Sequence, residues 1–453
     1  MPHSITGRSA ASLSVLLQSG PLDPVTLLEA VLEAVEGADP AIFTALCPER
    51  ARREADAARR RLAEGRALGL LDGIPLAWKD LFDMAGMATA AGSAVLRSAP
   101  VATADAPVVA ALCAAGMVAV GRTNMSEFAF SGLGLNPHYG TPENPRATGE
   151  ARVTGGSSSG AAAAVAAGLV PVAIGSDTGG SVRIPAAFCG LVGYKASRCR
   201  YPMEGVFPLS TSLDTLGPLT RSVQDAIWVD AAMRGMTAPA VERTTLSGKT
   251  LVVPTSVIFD EAEAGVVSAF ESGLARLAAA GARIERRTFP LFDEVLALGA
   301  RHGALVTAEA YALHRARLET DAAAMDPRVA NRVALGSRIA MADYVALLAA
   351  RRRMVAAFAE EIGPDSLLVH PTVAHVAPKI APLLADDALF VATNIRTLRN
   401  TMLTNFLDGC GVSLPCGAGE EGMPVGLLLS APHGQDDRLL SAALAAEPLL
   451  MEL

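Results

Sequence analysis

Lysine is scarce in this chain. Only four of its 38 basic residues are lysine, namely Lys79, Lys195, Lys249 and Lys379. Arginine serves wherever a bare positive charge suffices, so each lysine is a candidate for work arginine cannot do. Arginine stays protonated at any working pH, whereas a desolvated lysine gives up its proton. Positive charge is also in deficit, with a formal net charge of −8, which disfavours a nucleic-acid backbone as partner. Met1-Pro2-His3-Ser4-Ile5 has no charged region running into an apolar stretch, so no secretory signal is expected. The most apolar run, Gly160 to Ile174, contains Pro171 and is too short to span a bilayer. The six cysteines are scattered without a CxxC pair and read as reduced thiols of a cytoplasmic protein. The seven histidines show neither HxxxH nor HExxH spacing, so nothing argues for a metal site. No fixed-period repeat is evident.

An apolar fraction of 51% over 453 residues supports a sizeable core and excludes a disordered chain, a coiled coil or a disulfide scaffold. Val25 to Val35 reads as an amphipathic helix and Glu49 to Glu64 as a solvated one. Leu71 to Asp80 is a turn leading into a short apolar strand that ends at Lys79. Helices and short strands then alternate, with strands expected at Met117–Val120, Val170–Ile174, Leu251–Pro254, Ile284–Phe289, Leu367–His370, Val412–Pro415 and Val425–Leu429. A long helical stretch is expected from Leu298 to Ile362, and a last helix over Asp436 to Leu450. This alternation predicts an α/β fold with a central mixed, largely parallel twisted sheet covered by helices on both faces.

Two Gly/Ser-rich segments concentrate the chemistry, Thr154 to Gly160 and Gly175 to Pro185. The helix and strand between them return both to one end of the sheet. Structural glycine turns are the plainest reading. A phosphate cradle lacks the lysine that GxxxxGK[ST] requires, and Gly248-Lys249-Thr250 is preceded by Arg243 where that pattern needs glycine. Asp177-Thr178-Gly179 spells an aspartic-protease triplet, but the chain has no second one. Gly156-Ser157-Ser158-Ser159-Gly160 fits GxSxG around Ser158, with His370 and His433 downstream, yet no strong strand precedes it. Serine chemistry at Ser181 has more behind it. Successive N–H groups of Thr178, Gly179, Gly180 and Ser181 can face one concavity, an oxyanion hole beside a candidate nucleophile. A serine needs a base, and Lys79 sits among Ile74, Pro75, Leu76, Trp78, Leu81 and Phe82, surroundings that favour the neutral amine. A core-edge lysine paired with Asp80 or Asp83 is the competing reading.

Together these residues resemble the amidase signature family. The resemblance runs over most of the chain and is strongest from Leu71 to Pro218. It includes Gly73 to Asp80, Gly121 to Phe128, Gly155 to Gly160 and Asp177 to Pro185. It implies a Ser181–Ser157–Lys79 triad: Ser181 as nucleophile, Ser157 as bridge behind a cis Gly156–Ser157 peptide, and Lys79 as base. It also implies that Asp177 and Arg183 support the loops, and Lys195 is read as a strand anchor. The implied activity is hydrolysis of the C–N bond of a linear amide or carbamate, with esterase activity beside it, through an acyl-enzyme and without a cofactor. Phe128, Phe130, Ser131 and Leu133 are candidate acyl-pocket residues. Their apolar character leans towards aryl or alkyl substrates over dicarboxylic or amino-acid amides. The chain divides into an N-terminal helical segment (1–70), a catalytic core (71–234), a variable helical region shaping the substrate site (235–400) and C-terminal strands and helix completing the sheet (401–453). The expected partner is a small-molecule amide or carbamate, with no nucleic acid and no membrane, in a homodimer. The alternative is an amidotransferase-type glutaminase subunit that delivers ammonia within a larger complex. Thr154, Ala196-Ser197 and the Thr404 to Cys410 segment depart from the family pattern, the last from that of the amidotransferase member.

Overall fold

The computed structural model describes residues 7–451; the Met1–Ile5 segment read for targeting lies outside them. Among the described residues, eleven strands form one sheet. In chain order they are β1 (Phe43–Leu46), β2 (Pro75–Lys79), β3 (Val118–Thr123), β4 (Val172–Asp177), β5 (Val192–Lys195), β6 (Thr215–Thr220), β7 (Thr250–Pro254), β8 (Arg283–Arg287), β9 (Ser366–Pro371), β10 (Cys410–Ala418) and β11 (Pro424–Ala431). Across the sheet the order is β1-β3-β2-β4-β6-β5-β10-β11-β9-β7-β8.

The sheet is mixed, as expected, but the expectation of a largely parallel one needs correction. β2 runs parallel to β3 and β4, and β7 to β8 and β9; the other six neighbouring pairs are antiparallel. Parallel neighbours require a crossover of a dozen or more residues. The short turn at 419–423 between β10 and β11 permits only a hairpin. Every residue of β2, β3, β4, β6 and β7 is buried, because helices cover both faces. This is why those strands read as continuous apolar runs and not as alternating ones.

The long stretch expected to be helical is broken into four helices, Pro290–His302, Leu305–Thr320, Pro327–Ala334 and Met341–Ile362. One break falls at Gly303, whose φ of +82° ends a helix at little cost. The first and last of these helices, with Leu305 of the second, pack with Phe289 into a second apolar cluster that includes Phe292 and Phe358, whereas Val329 and Val333 of the third join the main core. Among the described residues, no single helix is long and apolar enough to cross a membrane.

The sheet topology positions the site. β2 and β4 are parallel neighbours, with Trp78 opposite Ile174, so Lys79 and the Ser176-Asp177 pair end at the same edge. The Ser159–Ala166 helix returns the chain to the start of β4, which places its N-terminal loop beside that same edge. Three segments far apart in sequence therefore meet at the carboxyl ends of two adjacent strands.

Candidate active site

Lys79 is fully buried. Its Nζ lies 2.7 Å from Ser157 Oγ and 2.8 Å from Ser176 Oγ. Burial lowers the ammonium from its ordinary range to about 7, against the pull of Asp177 and Asp214, which favour the charged form. The competing reading, a lysine paired with Asp80 or Asp83, does not fit: Asp80 faces Arg122 and Asp83 accepts from Thr89.

Ser157 follows a cis Gly156–Ser157 peptide. Its carbonyl accepts from Ser126 N at 3.1 Å, and the Gly156 N–H donates to Gly132 O at 2.8 Å. A side chain at residue 156 would sit 2.6 Å from Gly134 N, so glycine is required there by the close approach of the two loops. Ser158 instead opens the following helix, with its Oγ against Ser176 O at 3.4 Å. His370 lies edge-on to Phe292 in the core and His433 contacts Asp408, so the histidine-based reading of Ser158 gains no partner.

Ser181 is 4% exposed and lines a cavity of about 640 Å³. Its loop is anchored by Asp177. Arg183 grips that carboxylate with Nε at 3.0 Å and Nη2 at 2.9 Å, and Asn405 Nδ2 adds a third bond at 2.9 Å. Burial alone would raise the Asp177 carboxyl. The Arg183 guanidinium, with Lys195 and Asn405, overrides this and holds it well below the usual carboxylate range. The ion pair is fully enclosed. Removing one partner from such a pair strands the other charge, so Arg183→Met is expected to cost about 3–5 kcal/mol of stability, measured by denaturant unfolding. Lys195, also buried, points its Nζ at Ala196 O at 2.8 Å, and burial lowers it to about 8.

The candidate oxyanion donors divide. The Gly180 N–H donates to Asp177 Oδ1 at 2.8 Å, which corrects its assignment to the cradle. The carboxylate that supports the loop takes up that amide. Gly180 still has to be glycine, since its φ is +131° and a side chain there would collide with Thr401 Oγ1. Among the described residues, the amides of Thr178, Gly179 and Ser181 have no protein acceptor and border the cavity.

The four candidate pocket residues divide as well. Phe130 and Ser131 line the cavity. Phe128 and Leu133 are fully buried in the core and do not. Positive φ at Phe128 (50°) and Ala129 (61°) turns the chain sharply, and the Phe128 ring stacks against Phe207 and His314 instead.

Three residues near the site were not named from the sequence. Ser176 shares the lysine amine with Ser157. Asp214 accepts from Thr178 Oγ1 at 2.6 Å and from the amides of Leu209 and Ser210, both at 2.9 Å, while burial raises its carboxyl to about 6. Arg332, on the Pro327–Ala334 helix, lines the cavity. Only Ser176 carried a signal, its place in the second Gly/Ser segment. Among the described residues, no three His, Cys, Asp or Glu side chains converge on a metal-sized site.

The amidase family model matches residues 26–440. The chain is 37% identical to 2-amino-5-chloromuconic acid deaminase of Comamonas testosteroni over 406 residues, 88% of this chain and 87% of that one. It is 33% identical to a glutamyl-tRNA(Gln) amidotransferase subunit of Symbiobacterium thermophilum, over 96% of each. A crystal structure of an amidase superposes with a TM-score of 0.86 at 31% identity, covering 98% of this chain and all of the other.

Proposed function

This chain belongs to the amidase signature family, and on that premise we propose that it hydrolyses the C–N bond of a small amide or carbamate through a Lys79–Ser157–Ser181 relay. The observation that carries the proposal is a buried lysine amine, lowered to about 7, 2.7 Å from the Ser157 hydroxyl, on a loop whose next residue, Ser158, donates its N–H to the carbonyl of the cavity-lining Ser181 at 3.3 Å. In the neutral state Lys79 takes the proton of Ser157 as Ser157 takes that of Ser181. The Ser181 oxygen attacks the substrate carbonyl carbon, and the amides of Thr178, Gly179 and Ser181 hold the oxyanion. The relay then runs backwards, delivering the proton to the leaving nitrogen as the C–N bond breaks. Water adds to the acyl-enzyme by the same route and releases the acid. Asp177 and Arg183 hold the loop without touching the substrate.

The test is a purified chain incubated with acyl p-nitroanilides and, separately, with a fluorophosphonate. Release of p-nitroaniline by the chain alone, with the fluorophosphonate found on Ser181, supports the reading; no adduct on Ser181 overturns it. A second reading follows from the similarity to an amidotransferase component over 96% of both chains: a glutaminase that works only within a complex. It requires glutamine hydrolysis that appears only with a partner protein and no turnover of anilides by the isolated chain.

A further inference from the structure

The cavity beside Ser181 is walled by apolar side chains, including Leu209, Leu213, Val295, Leu305 and Leu347. Among its described lining residues, Arg332 alone is charged. Arg332 is partly buried, and its surroundings differ from those of the arginines that are buried most deeply or held in tight ion pairs. Arg122 faces Asp80, Arg183 faces Asp177, Arg200 faces Asp230 and Arg351 faces Asp408. Among the described residues, no carboxylate lies within ion-pair distance of Arg332. Its Nη1 donates to Phe130 O at 3.0 Å, and the guanidinium carbon lies 4.2 Å from the centre of the Phe130 ring. Burial, with no acid to offset it, pushes the group down to about 10, still a cation at neutral pH.

A guanidinium carries N–H donors in a rigid fork, and burying such a charge without a counter-ion is costly. Here one donor is taken by a carbonyl, the Phe130 ring lies against the guanidinium, and the residue lines the cavity with its other donors given no protein acceptor among the described residues. An arginine held ready in this way fits a carboxylate, whose two oxygens match the fork. The acyl half is the part of the substrate that needs the cavity longest, because it stays on Ser181 after the amine has left.

We propose that Arg332 is the anion-recognition residue of this site and that the preferred substrates are amides whose acyl half ends in a carboxylate beyond an apolar spacer. This rests on the hydrolase reading above and replaces the lean towards uncharged aryl and alkyl substrates drawn from the apolar character of Phe128, Phe130 and Leu133.

The test compares mono-p-nitroanilides of succinic, glutaric, adipic and pimelic acids with alkanoyl p-nitroanilides of equal chain length. For at least one length, kcat/KM is expected to favour the acid by about tenfold or more, the scale of one charge-assisted hydrogen-bonded pair. Arg332→Met is expected to bring that ratio close to one, and Arg332→Lys, which keeps the charge and loses the fork, to leave it intermediate. Binding of the same compounds to Ser181→Ala, by calorimetry, reads the anion site without turnover. There the acid should bind more tightly than its neutral partner, and adding Arg332→Met should remove the difference. A ratio at or below one for every length, or a ratio unchanged in Arg332→Met, overturns the proposal even where anilides are hydrolysed. An acid preference in binding, with no turnover by the wild type, upholds Arg332 and sinks the serine mechanism instead.

Discussion

Ser181→Ala is expected to lower kcat on acyl p-nitroanilides by a factor on the order of 10⁴–10⁶, the range found where a serine nucleophile is removed. The substitution deletes one oxygen from a residue that is 4% exposed and leaves the loop's supports untouched. Asp177 still accepts from Gly180 N and Val182 N, and Arg183 still grips Asp177. The cavity and the three unpaired amides therefore survive, so the variant should still bind substrate and should unfold at the wild-type denaturant midpoint. The combination is diagnostic: lost turnover with retained binding and stability assigns Ser181 to bond making. Turnover within tenfold of the wild type would exclude it as nucleophile.

Lys79→Arg is expected to lower kcat by about 10²–10⁴-fold, the usual contribution of a positioned general base, although it preserves the positive charge. Arginine cannot become neutral at working pH, and its fork does not fit a pocket built around a single nitrogen 2.7 Å from Ser157 Oγ and 2.8 Å from Ser176 Oγ. The wild type should show the matching pH profile. The base works when neutral, so kcat/KM should fall as pH drops through about 7, where Lys79 takes up its proton, and level off above it. Stability should move in the same direction. The unfolded lysine holds its proton up to about 10.4 and the folded one only to about 7. Between those values the unfolded chain binds more protons, so stability rises with pH. Lys79→Met, which removes the burial penalty, should be inactive yet more stable near neutral pH, with the gain shrinking towards pH 10. A flat pH–rate profile between 5 and 9, or an active Lys79→Arg, would exclude the neutral-base role.

The residues that were legible beforehand share one property: their identity alone restricts what they can do. A lysine in an apolar strand, serines in glycine-rich turns and a glycine pair before Ser181 each answer a local physical demand, and the structure brings Lys79, Ser157 and the Ser181 loop to one strand edge. Phe128 and Leu133 were misplaced because apolar side chains serve a pocket wall and a core equally well. The choice was made by two residues of positive φ, which sequence periodicity does not reveal. Gly180 was misassigned because its amide is claimed by a carboxylate three residues away, a contact that depends on the loop's path. The largely parallel sheet was misjudged because strand direction follows from how each connection returns, as in the 419–423 turn.

Chain chemistry alone points to the α/β class of this protein and its amidase kinship, and it singles out Lys79 as the candidate base among so many arginines. At the surface, Lys379 pairs with Glu150 and Glu421, work that an arginine does equally well, so the lysine count by itself was no guide to function. Position in the fold makes the difference. On the proposed mechanism, burial beside Ser157 suits Lys79 to act as a base, and the lack, among the described residues, of a carboxylate within ion-pair distance leaves Arg332 the charge proposed to meet an anionic ligand. Both effects arise from desolvation and from the distance to the nearest opposite charge, quantities that exist only once segments remote in sequence have packed together.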